Sequence, residues 1–250
     1  MTDDAQTTLP VDPGLLDRLW DFDDPAGTEQ RMREARASMP PDSVAAHELT
    51  TQMARAMGLQ GRFTEAHELL DSIDSAHPFV TCRVHLERGR LRNSAGDPQA
   101  ARPLFSLAFG HASASGNPYL AVDAAHMLAI VEPDRAEDWV RMGLEIIERS
   151  GDPYARRWRG ALHNNLGWTM HDRGDHERAL EQFRLALDTY QASGTADQMH
   201  RARWAVARCL RSLGRSAEAL DIQRELARSD PADPYVREEI GLLRDELGEG

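Results

Sequence analysis

Residues 160–193, GALHNNLGWTMHDRGDHERALEQFRLALDTYQAS, decide the fold. Apolar or small residues recur there at helical spacing on both sides of Gly174-Asp175, which is the pattern of two amphipathic helices joined by a tight turn. Gly174 supplies the left-handed residue that ends the first helix, and Asp175 stands where the next helix needs an N-cap. Ala179, small and near the start of the second helix, lets two helix backbones approach closely.

The same Gly-x4-Ala arrangement recurs at Gly61…Ala66, Gly96…Ala101 and Gly214…Ala219. With Ala136 added, the alanines step by 35, 35, 43 and 40 residues, the period of a repeated helical hairpin. The longer steps predict extra helix or loop, and Asp152 to Trp158 is expected to lengthen the first helix of its unit. At the third unit the turn glycine is replaced by Val131-Glu132-Pro133, so an altered crossing of its two helices is expected. β-branched residues are few and no apolar run alternates, which argues against strands.

These residues resemble the tetratricopeptide-repeat family. Leu166, Gly167, Gly174, Ala179, Phe183 and Ala186 fall on its pattern, although His163 stands at its first Trp position. Gly89, Ala101, Phe105 and Ala108 repeat the pattern in an earlier unit, and Ala124, Ala136, Val140 and Gly143 fit the degenerate third one. The resemblance runs over roughly residues 12–247 and implies an all-α, right-handed superhelix (solenoid) of about five to six helix-turn-helix hairpins with a C-terminal capping helix. Units are expected at about 12–41, 47–80, 82–115, 117–150, 155–193 and 197–231. An acidic disordered tail is expected at 1–11, and the capping helix and acidic tail at 232–250.

Composition bounds the function. The 250 residues hold 41 acidic and 29 basic side chains. Residues 1–24 carry seven Asp against one Arg and residues 230–250 seven acids against two Arg, so the span between them is nearly neutral. Every basic residue is Arg and none is Lys, a bias that fits a GC-rich bacterial genome and carries no functional weight. No apolar run approaches the roughly 20 residues of a membrane span and the N-terminus lacks a signal-peptide pattern, so a cytoplasmic location is expected. Cys82 and Cys209 then read as reduced, buried thiols.

Nothing in the chain has the form of a catalytic motif. Phosphate loops, His-Glu-x-x-His, Gly-x-Ser-x-Gly and paired cysteines are all missing, so no enzyme activity, metal or cofactor is expected. The nearest metal-like run, His171-Asp172-x-x-Asp175-His176-Glu177, sits on a repeat turn, where capping and solvation account for it.

The family resemblance implies a concave groove lined by the first helix of each hairpin. Carried over by register, it places Glu48, Thr51, Gln52 and Arg55 there, then Arg83, Leu86, Glu87, Arg90 and Asn93, then Ala121, Val122, Ala125 and Leu128. The fourth unit adds Asn164, Asn165, Trp168 and His171, and the fifth Arg201, Trp204, Arg208 and Arg211. Asparagine amides bridge to an extended peptide backbone, arginine forks hold carboxylates and Trp faces take apolar or cationic groups. The implied binding residues are therefore Arg55, Arg83, Arg90, Asn164, Asn165, Trp168, Arg201, Trp204, Arg208 and Arg211. The implied partner is a protein or peptide segment of acidic and apolar character. Asn165 and Arg201 match two positions of the clamp that grips a C-terminal carboxylate in part of the family, but Ala121, Ala125 and Ala205 replace the others.

Two further readings stay open. A self-assembling, homo-oligomeric scaffold would use Trp20, Phe22 or Trp158. Nucleic-acid binding through the Arg rows is opposed by the acidic ends and by Glu48 and Glu87. Within the leading reading, the acids of the capping helix at Glu238, Glu239 and Asp245 have the register to pair with Arg201, Arg208 and Arg211, so the C-terminal Arg row has two competing uses.

Overall fold

The structure is a computed structural model and describes residues 8–249. The described residues are helical, without strands. The helices are α1 (Pro13–Leu19), α2 (Pro25–Ala37), α3 (Val44–Leu59), α4 (Phe63–Asp71), α5 (Pro78–Ser94), α6 (Pro98–Ala114), α7 (Pro118–Val131), α8 (Ala136–Ser150), α9 (Pro153–Arg156), α10 (Trp158–Asp172), α11 (His176–Ser193), α12 (Ala196–Ser212), α13 (Ser216–Ser229) and α14 (Pro234–Leu247). The expected tail 1–11 lies mostly outside the described residues, as does Gly250 of the expected 232–250 segment.

Helix starts follow a simple local rule. Asp12, Asp24, Asp97, Asn117, Asp152 and Asp233 each precede a proline, and each side chain accepts a hydrogen bond from a backbone N–H of the helix that follows. The carboxylate or amide caps the free N–H groups, and proline at the first helical position gives up only a donor that would have no partner there. Asp175 departs from the expected capping role: it makes no side-chain bond to the helix backbone and pairs with Arg178 at 3.3 Å instead.

Gly61, Gly96, Gly174 and Gly214, the four turn glycines of the repeat, have φ between +72° and +85°, where a side chain would be strained. The small residues five positions on, together with Ala136, are fully packed: Ala66, Ala101, Ala136, Ala179 and Ala219 are all buried. Gly89 lies against the ring of Phe105 and Gly167 against that of Phe183, so a Cβ at either position would come within 2.4 Å and 2.6 Å of an aromatic carbon. These glycines let the two helices of a hairpin close over one aromatic ring.

The chain divides after Glu132 into two compact units. In the first, α3 pairs with α4 and α5 with α6, α2 packs on α3, and α7 packs on α6 and α5. In the second, α10 pairs with α11 and α12 with α13, α8 packs on α10, and α14 closes on α13 and α12. The division falls at Val131-Glu132-Pro133, where the repeat lacks its glycine, and the hairpin expected at 117–150 is split between the units. A proline-led single helical turn, Pro133–Arg135, stands there in place of the glycine turn. The extra residues before α10 form the short helix α9, which breaks at Arg157 before α10 begins.

Candidate functional site

In the first unit the predicted groove residues are mostly closed off. Along α3 the residues Glu48 to Ala54 are all buried, so this helix has no solvent face in its middle. Arg83 of α5 donates to Glu48 Oε1 at 2.9 Å, and Arg90 bonds both Glu87 of its own helix and Asp123 of α7. Burial pushes the Glu48 carboxyl above the usual range despite Arg83. For Asp123 burial acts the same way, but the guanidinium groups of Arg90 and Arg55 outweigh it and hold the carboxyl low. Arg83 and Arg90, expected to face a ligand, are therefore buried and turned inward. Buried charges persist where they are paired and hydrogen-bonded, and three consecutive first helices are tied together by these pairs.

Arg55 behaves differently. It is half-buried, and its guanidinium lies 5.2 Å from the ring centre of Trp20 and 5.5 Å from that of Phe22. Ala121, Val122, Ala125 and Leu128 of α7 are all buried.

In the second unit the predicted residues remain within reach of solvent. Asn164, Asn165, Trp168 and His171 on α10 are half-buried, as are Trp204, Arg208 and Arg211 on α12, while Arg201 is exposed. Trp168 stands between the two helices: its ring centre is 6.0 Å from that of Trp204, 5.4 Å from His171 and 4.8 Å from Phe183. Asn164 donates to Asn165 Oδ1 at 3.2 Å, which orders the two amides. Ser212 links the helices, taking a bond from Arg208 at 2.8 Å and lying 2.9 Å from His171 Nε2. Burial, with Arg208 beside it, holds the His171 imidazole below its ordinary pKa, so the ring is neutral near pH 7.

The C-terminal Arg row meets the capping helix. Glu239 of α14 is buried, forms ion pairs with Arg208 at 3.3 Å and Arg211 at 2.9 Å and accepts a hydrogen bond from Arg211 at 3.2 Å, while Glu246 accepts from Arg211 at 3.3 Å and from Ser216 at 2.6 Å. Arg201 is not in this cluster; it pairs with Asp197 on its own helix at 3.0 Å. Of the expected acids Glu239 is the one that engages these arginines, and Glu246, outside the expected set, supplies the second carboxylate.

A surface cavity of about 580 Å³ lies on the other side of α10, floored by Val140, Leu144, Leu166 and Met170 and flanked by His163 and Gln182. Among the described residues, no group of three or more His, Cys, Asp or Glu side chains converges as a metal site. No helix there is long and apolar enough to cross a membrane. Cys82 and Cys209 are free and buried, and burial raises both thiols, that of Cys82 to about 12.

Glycine-ended helical hairpins closed over an aromatic ring define a helical-hairpin repeat protein. Residues 164–193 match the model of the tetratricopeptide repeat, and the fold of the chain is similar to that of solved tetratricopeptide-repeat structures. Among solved structures it is similar to BtubC (BKLC) of P. vanneervenii, with 18% identity over 85% of this chain and 90% of that one and a TM-score of 0.61. It is also similar to a STAND signal-transduction ATPase of Pyrococcus horikoshii with a tetratricopeptide-repeat sensor. The identity there is 13%, over 92% of this chain and 35% of that one, with a TM-score of 0.66. A Podosopora anserina protein with TPR-like repeats shares 16% identity over 72% of this chain and 95% of that one, with a TM-score of 0.53. No curated protein matches the chain by sequence.

Proposed function

We propose that this protein is a non-enzymatic interaction module that binds a peptide or protein segment across the first helices of its second unit. The observation that carries the reading is the paired face of α10 and α12. There Asn164, Asn165, Trp168 and Trp204 stand half-exposed on neighbouring helices, with the two indoles 6.0 Å apart. Ordered amides suit an extended backbone, and the indole faces suit apolar or cationic side chains. Arg201 and Arg208 flank this face and suit a carboxylate. In this reading Arg83 and Arg90 hold the first unit in shape.

The test is a comparison of the wild-type chain with Asn164→Ala/Asn165→Ala/Trp204→Ala in partner capture, followed by titration of the captured segment as a synthetic peptide. Binding that falls at least about tenfold in the variant, at unchanged helical circular dichroism, supports the face as the site; a tenfold loss corresponds to about 1.4 kcal/mol. Equal binding by both proteins rejects it.

A further inference from the structure

In the first unit the N-terminal segment packs along α3. Along α3, Glu48, Gln52 and Arg55 have the register of a peptide-facing row. Each is contacted by the N-terminal segment: Glu48 and Gln52 are buried and Arg55 is half-buried. Val11 donates its backbone N–H to Glu48 Oε2 at 2.8 Å, and Trp20 Nε1 donates to Gln52 Oε1 at 3.2 Å. The rings of Trp20 and Phe22 stack 4.9 Å apart and 14° from parallel, and Arg55 lies against both. Val11 is buried with Leu49 and Met53 of α3, and Leu15, Leu16, Leu19 and Trp20 pack on that cluster.

The contacts are those of a bound segment: a main-chain donor on a buried carboxylate, an indole N–H on a buried amide and a cation beside two rings. Between the anchors the segment is held by the partly buried Leu15, Leu16 and Leu19 and not by fully buried side chains. Helix α1 has seven residues, none of them buried, and Phe22 is 59% exposed. Hydrogen bonds between Asp21 and Thr28, and from Arg31 to the carbonyl of Leu19, fix the point where the segment joins α2.

We propose that residues 11–22 are an intramolecular ligand of the α3 face, and that this face binds in trans a segment of the same chemistry. Such a segment carries an aromatic-x-aromatic pair and, nine residues before the first ring, an aliphatic residue whose N–H is free. Tethering gives the internal segment an effective concentration on the order of millimolar, which a free segment must exceed or which a partner must relieve by holding the N-terminus elsewhere. The proposal is independent of the α10 and α12 face, and a null result at Asn164 and Asn165 leaves it standing.

The experiment uses the full chain and a labelled peptide of residues 8–24. Trp20→Ala/Phe22→Ala weakens the internal segment and is expected to bind the peptide about tenfold more tightly than the wild type, because the tethered competitor has lost its anchors. Adding Gln52→Ala and Arg55→Ala to that variant is expected to abolish the gain. Equal affinity for wild type and the double variant overturns the proposal, as does a gain that survives loss of Gln52 and Arg55. A second measurement needs no variant. Hydrogen exchange of the wild-type chain, with and without excess peptide, is expected to show amides 11–22 deprotected by the peptide while 48–55 remain protected. Unchanged protection of 11–22 at millimolar peptide overturns it.

Discussion

Arg83 donates to Glu48 across 2.9 Å, joining α5 to α3, with the two side chains 4% and 2% exposed. Such a pair gains little over apolar residues of the same size, because two charges are taken out of water to form it, yet opening it from one side leaves a buried charge without compensation. Arg83→Ala is therefore expected to destabilise the chain by about 3–5 kcal/mol, while Glu48→Leu/Arg83→Met costs far less than the single change. Urea denaturation of the three proteins checks this, and a double variant as unstable as Arg83→Ala would show that the pair itself sustains the fold.

A glycine under an aromatic ring and a glycine beside open space make a sharper contrast. Gly167→Ala would drive a methyl to 2.6 Å from Phe183, so a loss of about 1–3 kcal/mol is expected from overpacking. Gly241 lies within α14 with open space where its Cβ would go, and Gly241→Ala is expected to stabilise by about 0.5–1 kcal/mol because glycine is a poor helix former. Thermal unfolding of both proteins should move in opposite directions.

That contrast also explains what the sequence could and could not reveal. Gly167, Phe183 and Ala179 are legible because the hairpin demands small residues opposite a ring at fixed offsets, and the turn glycines because φ near +80° excludes other side chains. The first-helix register of α10 and α12 was legible for the same reason. What register cannot state is occupancy. Arg83 and Arg90 hold the right positions, but whether an arginine faces solvent depends on Glu48 and Asp123, which lie 35 and 33 residues away in the chain. The N-terminal segment was harder still. Trp20 and Phe22 read as aromatics available to a partner, and nothing in a helical period indicates that an irregular stretch folds back onto Gln52 and Arg55.

His126 gives a pH dependence. Burial lowers its pKa to about 4, Arg90 and Arg55 push the same way, and Asp123 opposes them. A histidine whose folded pKa lies below its unfolded value of about 6.5 binds its proton more readily when unfolded. The contribution of this group is thus intact above about pH 6.5 and is lost as pH falls from there toward 4. His67, His85, His163 and His171 are shifted in the same direction. The melting temperature is expected to fall between pH 7 and pH 5, and His126→Gln is expected to flatten that fall. An unchanged slope in the variant would assign the acid sensitivity to the other histidines.

Glu239 pairs with two arginines of the C-terminal row, Arg208 and Arg211. It is buried on α14 and receives both Arg208 and Arg211, so the positive charge that would meet an acidic ligand is already neutralised within the second unit. Glu239→Gln removes that charge while preserving an acceptor of the same shape, and Glu246 stays beside Arg211. The cost in stability is expected to be about 1–3 kcal/mol, because hydrogen bonds to charged groups are lost. Affinity for an acetylated tri-glutamate peptide, followed by fluorescence anisotropy, is expected to rise several-fold in Glu239→Gln, with a steeper dependence on salt. The gain should vanish when Arg208→Ala is added. If the peptide binds both proteins equally, Arg208 and Arg211 serve to dock α14, and recognition in the second unit rests on Asn164, Asn165, Trp168 and Trp204.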